Sequence, residues 1–113
     1  MAAGHDYELG GMQLPTLIEK ACMAWFMGAN VATAGYPFLT IGNSNLLLDH
    51  GAQEQIDTYV RPMLAGKWFG TMCLSEPQAG SSLSDIRTRA EPQPDGTYRL
   101  FGNKMWISGG EHD

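Results

Sequence analysis

Cys73-Leu74-Ser75-Glu76-Pro77-Gln78-Ala79-Gly80-Ser81-Ser82 marks the point where the texture of the chain changes. Over residues 14–64 apolar residues recur with helical period; over residues 68–108 they alternate with strand period. The switch predicts an α+β chain. Part of an N-terminal helical bundle occupies residues 1–66. The first strands of an antiparallel β-barrel or sandwich domain, incomplete within this chain, occupy residues 67–113.

Upstream of the quoted stretch the first helix starts at Pro15 or Thr16. In one register Pro15 takes the first helical position. In the other Thr16 is the N-cap and Glu19 completes a capping box. Leu14, Leu17, Ile18, Ala21, Trp25, Ala29 and Ala32 fall on one face, and Gly35, Tyr36 and Pro37 predict a break. A second apolar segment holds Leu39, Leu46, Leu47 and Leu48 and ends at Gly51, a residue type suited to a helix C-cap. The third helix spans residues 52–64, with Ala52, Ile56, Tyr59, Val60 and Met63 on one face and Pro62 as a stop or kink.

Downstream, a turn at residues 65–67 leads into a predicted buried strand at 68–74. Residues 85–91 alternate Ile86, Thr88 and Ala90 against Arg87, Arg89 and Glu91, the pattern of a half-exposed strand. Asp95-Gly96 between two prolines and Thr97 signals a tight turn. Residues 98–101 and 104–108 read as a further strand pair across Gly102-Asn103. A chain that stops at Asp113 leaves that sheet with open edges, so truncation and marginal independent folding are expected.

Composition narrows the function classes. The chain has 113 residues, 43% of them hydrophobic and 17% charged, with a net charge of −5, a globular rather than disordered balance. Seven Lys and Arg against twelve Asp and Glu argue against a nucleic-acid footprint. Cys22 and Cys73 give neither a disulfide framework nor a metal-binding spacing. No apolar run approaches the length of about 18 residues that a membrane span needs. Residues 1–9 have the features of neither a secretory signal nor an Arg-rich presequence, so a cytoplasmic location is expected. His5, His50 and His112 are unclustered, which argues against a metal site.

Two segments carry candidate chemistry. In the quoted loop Ala79 and Gly80 let a ligand approach the backbone. Ser75, Ser81 and Ser82 offer hydroxyls, and free backbone N–H groups suit an electron-rich ring edge or a phosphate. Serine-rich surface turns have the same composition, and residues alone leave both readings open. In Lys104-Met105-Trp106-Ile107-Ser108 an aromatic precedes a hydroxyl by two positions. On a strand the pair shares one face, able to stack a planar ring and bond its edge, or equally to form a core tryptophan beside an exposed serine.

Together these blocks resemble the flavin signature of the acyl-CoA dehydrogenase family: residues 72–81, then Trp106-Ile107-Ser108 some 25 positions later. Arg87-Thr88-Arg89-Ala90, Gly102-Asn103-Lys104 and Tyr59-Val60-Arg61-Pro62-Met63-Leu64 are similar to that family as well, so the resemblance covers nearly the whole chain from Gly10. Gln78 and Gly110-Glu111-His112-Asp113 resemble the branch that includes the 3-methylmercaptopropionyl-CoA dehydrogenases.

The resemblance implies a bound FAD. Met72, Leu74 and Ser75 would line the isoalloxazine ring. Gly80 and Ser81 would lie where flavin meets the acyl-CoA substrate, Ser81 contacting both. Trp106 and Ile107 would lie against the ring, and Ser108, in place of the more usual threonine, near N5. Ser82 stands where the family commonly has an aspartate. The implied reaction is α,β-desaturation of an acyl-CoA thioester, with electrons passing to an electron-transfer flavoprotein and the full-length enzyme a homo-oligomer. The family's catalytic glutamate comes from a C-terminal helical domain, so no catalytic residue is assigned here. The alternative is a catalytically inactive fragment or a non-enzymatic helical interaction module, marked by exposed apolar patches.

Overall fold

Pro15, with φ −52° and ψ 139°, turns the chain into α1 (Thr16–Ala29). This computed structural model describes residues 1–110. The helix starts at Thr16, one of the two expected positions, with Pro15 rather than Thr16 as the N-cap residue. No side chain caps this end, and Glu19 pairs with the neighbouring Lys20 at 3.1 Å instead of closing a capping box.

The break between the first two helices falls at Asn30, not at Gly35-Tyr36-Pro37. Asn30 leaves the helical region at φ −159°, and its side chain accepts the Thr33 N–H at 3.0 Å. That N-cap satisfies an orphan donor and starts α2 (Val31–His50), which runs on through Pro37. Pro37 removes one helical hydrogen bond. Beyond it, the Thr40 and Ser44 hydroxyls donate back to the carbonyls of Tyr36 and Thr40 at 2.7 and 3.0 Å. Gly51 ends the helix as expected, but in extended rather than left-handed backbone. Its lack of a side chain matters for space, since a Cβ there would lie 2.5 Å from the Leu47 carbonyl oxygen.

The third helical stretch is interrupted. After α3 (Gln53–Gln55) comes a π-helical turn (Ile56–Val60) and then α4 (Arg61–Leu64). The Arg61 N–H reaches back to the Ile56 carbonyl, five residues away. Pro62 supplies the reason: its ring would clash with a carbonyl four residues before it in a regular helix, and a widened turn avoids that. The extra residue rotates the buried face. Val60, Met63 and Leu64 form the core, with Ala2, Leu9, Leu47, Leu48 and Ile56 packed on it. Ala52 and Tyr59, expected on that face, are exposed.

The described residues form two compact units: Met1–Thr71 with the residues from Ser108, and Met72–Ile107. In the first, the expected strand at 68–74 is absent up to Thr71, because α2 side chains take its backbone groups. Gly70 donates its N–H to the Thr40 hydroxyl at 3.0 Å, and Asn43 donates its amide to the Thr71 carbonyl at 2.9 Å. In the second unit, residues 72–74 are likewise outside any ladder.

The sheet of that unit is a two-stranded antiparallel hairpin, β1 (Arg89–Pro92) with β2 (Tyr98–Phe101). Arg89 faces Phe101 and Pro92 faces Tyr98. The Asp95-Gly96 turn is where the sequence predicts it, with Gly96 at φ 84° and the Asp95 carboxylate accepting from the Thr97 N–H and hydroxyl at 3.0 and 2.7 Å. The strand expected over 85–91 begins only at Arg89, after a 3₁₀ turn at Leu83–Asp85. Residues 104–107 form no strand, so the pairing expected across Gly102-Asn103 is replaced by β2 pairing with β1. Trp106 sits at φ 59°, a left-handed backbone that breaks the alternation expected to align its ring with Ser108. No helix among the described residues is long and apolar enough to cross a membrane.

Candidate functional site

Glu76 organises the second unit, although it lies in a loop and sequence reasoning gave it no role. The Glu76 N–H donates to the Ala79 carbonyl at 2.7 Å and the Ala79 N–H returns to Glu76 at 3.1 Å. Pro77 and Gln78 are thereby held in a tight turn. The side chain folds inward, with 3% of its surface exposed. Oε1 accepts from the Thr88 N–H at 3.0 Å, the Thr88 hydroxyl at 2.6 Å and the Lys104 ammonium at 2.8 Å. Oε2 accepts from the Arg87 N–H at 2.9 Å and the Gln78 amide at 2.6 Å. Five donors on two oxygens fill a carboxylate's acceptor sites, which is how a buried charge is retained.

The strand of residues 85–91 starts late for this reason: the Arg87 and Thr88 amides are directed at Glu76 rather than at a ladder. Lys104, and then Thr88 and the Arg87 amide, hold the Glu76 carboxyl far below the usual carboxylate range, against the opposing effect of burial.

The same contacts bring the two predicted ligand segments together. Lys104 also donates to the Leu74 carbonyl at 3.1 Å, and the Met105 N–H donates to the Ser75 carbonyl at 3.0 Å. Residues 74–76 are thus tied to 104–105. Met72 and Trp106 are exposed, Trp106 by 82%. Gly80 and Ser81 are exposed, a Cβ at Gly80 would meet nothing within 4 Å, and Leu74, Ser75 and Ile107 are half-buried. A sulfur and an indole face, hydroxyls and open backbone suit a planar heteroaromatic group with polar edges. Ser108 belongs to the first unit, where its carbonyl accepts from the Thr71 hydroxyl.

The other candidates recede. His5 is buried, its Nε2 3.0 Å from the Asn45 amide oxygen. Among the described residues no three His, Cys, Asp or Glu side chains gather as a metal site. Glu111, His112 and Asp113, including the branch-like end motif, lie outside the described residues. Within the first unit Ala3, Cys22, Met23, Phe26 and Ile41 line an apolar cavity of about 290 Å³.

No protein-family profile matches the chain. Its similarity to known enzymes is nevertheless extensive. It is 42% identical over 109 residues to 3-methylmercaptopropionyl-CoA dehydrogenase of Ruegeria pomeroyi, covering 96% of this chain and 18% of that protein. Against a broad-specificity linear acyl-CoA dehydrogenase of Mycobacterium tuberculosis it is 36% identical over 108 residues, 96% of this chain and 17% of the relative. Against the mitochondrial very long-chain specific acyl-CoA dehydrogenase of Homo sapiens it is 40% identical over 109 residues, 91% and 16% respectively. The chain is homologous to the acyl-CoA dehydrogenases. It spans less than a fifth of the length of these relatives.

Proposed function

We propose that this chain is the flavin-facing segment of an FAD-dependent acyl-CoA dehydrogenase that desaturates an acyl-CoA thioester between its α and β carbons. The carrying observation is similarity to enzymes of this activity across nearly the whole chain, supported by the tie between residues 74–76 and 104–105. It favours the oxidoreductase over a helical interaction module. Bound FAD would supply the hydride acceptor for the substrate β-carbon.

The chain's residues hold and orient. Met72, Leu74 and Ser75 would line the ring, with the Ser75 hydroxyl available to its polar edge. Trp106 and Ile107 would lie against it, and Ser108 would offer a hydroxyl near N5. Gly80 would leave backbone space for the thioester arm, and Ser81 would contact both flavin and substrate. Neither Glu76 nor Glu19 acts as the base. Glu76 has its oxygens filled and its pKa held far down, which makes it a poor proton acceptor at neutral pH. Glu19 is paired with Lys20. The whole enzyme draws its base from elsewhere, passes electrons to an electron-transfer flavoprotein, and is a homo-oligomer.

The test is a chimera in which this chain replaces the 109-residue matching segment of the Ruegeria pomeroyi enzyme. Purified yellow protein that turns over 3-methylmercaptopropionyl-CoA is expected. A folded chimera of parental oligomeric size that holds no flavin overturns the proposal.

A further inference from the structure

We propose that Glu76 and Lys104 form a positioning pair that sets the shape of the flavin-facing loop and holds the Trp106 segment against it. The inference rests on the flavin reading above. Neither side chain is among the residues assigned to touch flavin or substrate. Their effect passes through the backbone of those that are.

The geometry is specific. Leu74, Ser75 and Glu76 are three consecutive residues, and each is fixed from the 104–105 side. Lys104 Nζ bridges the Leu74 carbonyl and Glu76 Oε1 at 3.1 and 2.8 Å, while the Met105 N–H holds the Ser75 carbonyl at 3.0 Å. Trp106 is the next residue, at φ 59°. A bulky side chain in left-handed backbone persists only where its surroundings fix it, and the bonds of Lys104 and Met105 immediately precede it. On the other side Glu76 closes on Ala79, so the placement of Gly80 and Ser81 follows from that of Glu76. The Lys104 side chain is 21% exposed, and its ammonium spends two of its three donors on this loop.

The pair is also intolerant of isosteric change. In a Glu76→Gln variant one oxygen becomes an NH₂ group. If it replaces Oε1 it faces the Thr88 and Lys104 donors; if it replaces Oε2 it faces the Arg87 and Gln78 donors. Either orientation sets donor against donor. Lys104→Met keeps the stem and removes the ammonium, releasing the Leu74 carbonyl and leaving Glu76 four of its five donors. Lys104→Arg keeps a cation able to reach two acceptors.

The experiment uses the full 113-residue chain, isotopically labelled, as wild type, Lys104→Met, Lys104→Arg and Glu76→Gln. Two readouts are taken from each sample: hydrogen exchange of individual amides, and titration with FAD followed by visible absorbance. Lys104→Met is expected to speed exchange at Glu76, Ala79 and Met105 by about tenfold or more while the β1 and β2 amides hold within about twofold. FAD affinity should fall by about tenfold, with Lys104→Arg restoring most of both. Glu76→Gln should do the same or more. If it also melts the hairpin, Lys104→Met decides. Loop exchange and FAD affinity unchanged in Lys104→Met overturn the inference while leaving the flavin reading intact. A wild-type chain that retains no FAD leaves the flavin reading to the chimera, and the exchange data alone then decide whether the pair fixes the loop: unchanged loop exchange in Lys104→Met overturns it.

Discussion

Gly102 approaches Thr88 so closely that adding one methyl group should unseat the Glu76 cluster. An ideal Cβ on Gly102 would lie 2.1 Å from the Thr88 hydroxyl oxygen and 2.8 Å from its Cβ, against the 3.0 Å below which something must shift. The overlap with the hydroxyl is therefore 0.9 Å. Thr88 is branched and stiff about χ1, and its oxygen is engaged with Glu76 at 2.6 Å, so relief means rotating the hydroxyl away or displacing the start of β1. Overpacking of this kind costs about 1–3 kcal/mol. Gly102→Ala should accordingly raise the open population of this unit by about five- to 150-fold, measured as hydrogen exchange of the Arg87, Thr88 and β2 amides. The control is a double-mutant cycle with Thr88→Ala, which removes the offending oxygen. Gly102→Ala should cost at least about 0.5 kcal/mol less in that background. Additive effects, or wild-type exchange in Gly102→Ala, would refute the contact and the role given to Thr88.

Two further outcomes follow from the same structure. Val60 is fully buried among Met63, Leu64 and Ile56; Val60→Ala removes two methyl groups and should destabilise the first unit by about 2–3 kcal/mol, transfer and cavity together. Circular dichroism should then show melting lowered by roughly 8–20 °C, and a loss of under about 2 °C would place Val60 outside the core. Glu76 has its folded-state pKa lowered, so its stabilising contribution is complete above the ordinary value of 4.5 and is lost as pH falls through the folded value. An acid titration of the Arg87 and Thr88 amide resonances should be flat near neutrality and respond only well below pH 4.5. A midpoint at or above that value in the wild-type chain would contradict the buried pair.

The helices were legible in the sequence where apolar period and local chemistry agreed. The start of α1, the end at Gly51 and the Asp95-Gly96 turn all depend on residues within a few positions of one another. Features decided by distant partners were not legible. Residues 68–71 carry a strand-like pattern, yet Thr40 and Asn43, 30 and 28 positions away, take their backbone groups. Pro37 reads as a breaker until Asn30 is seen to have capped the helix before it. Pro62 suggested a kink but not the wider turn that moves Leu64 into the core.

At the candidate site the loop and the Trp106 segment stand out by composition and resemblance. Glu76, Thr88 and Lys104 do not. Each has an ordinary surface residue type, and their meeting rests on separations of 12 and 28 residues. A glutamate directly before a proline in a serine-rich loop was the one local hint.

Those separations also bear on the order in which the second unit assembles. Joining Lys104 to Glu76 directly closes a loop of 28 residues. Once β1 and β2 have zipped, with Arg89 opposite Phe101, Thr88 and Gly102 are already neighbours. The remaining search is then governed by the 12 residues from Glu76 to Thr88. Each halving of a loop lowers its closure cost by about 0.6 kcal/mol, and hairpins form in roughly 1–10 μs. The hairpin therefore acts as a kinetic splint: it forms from local instructions, and the carboxylate cluster locks behind it.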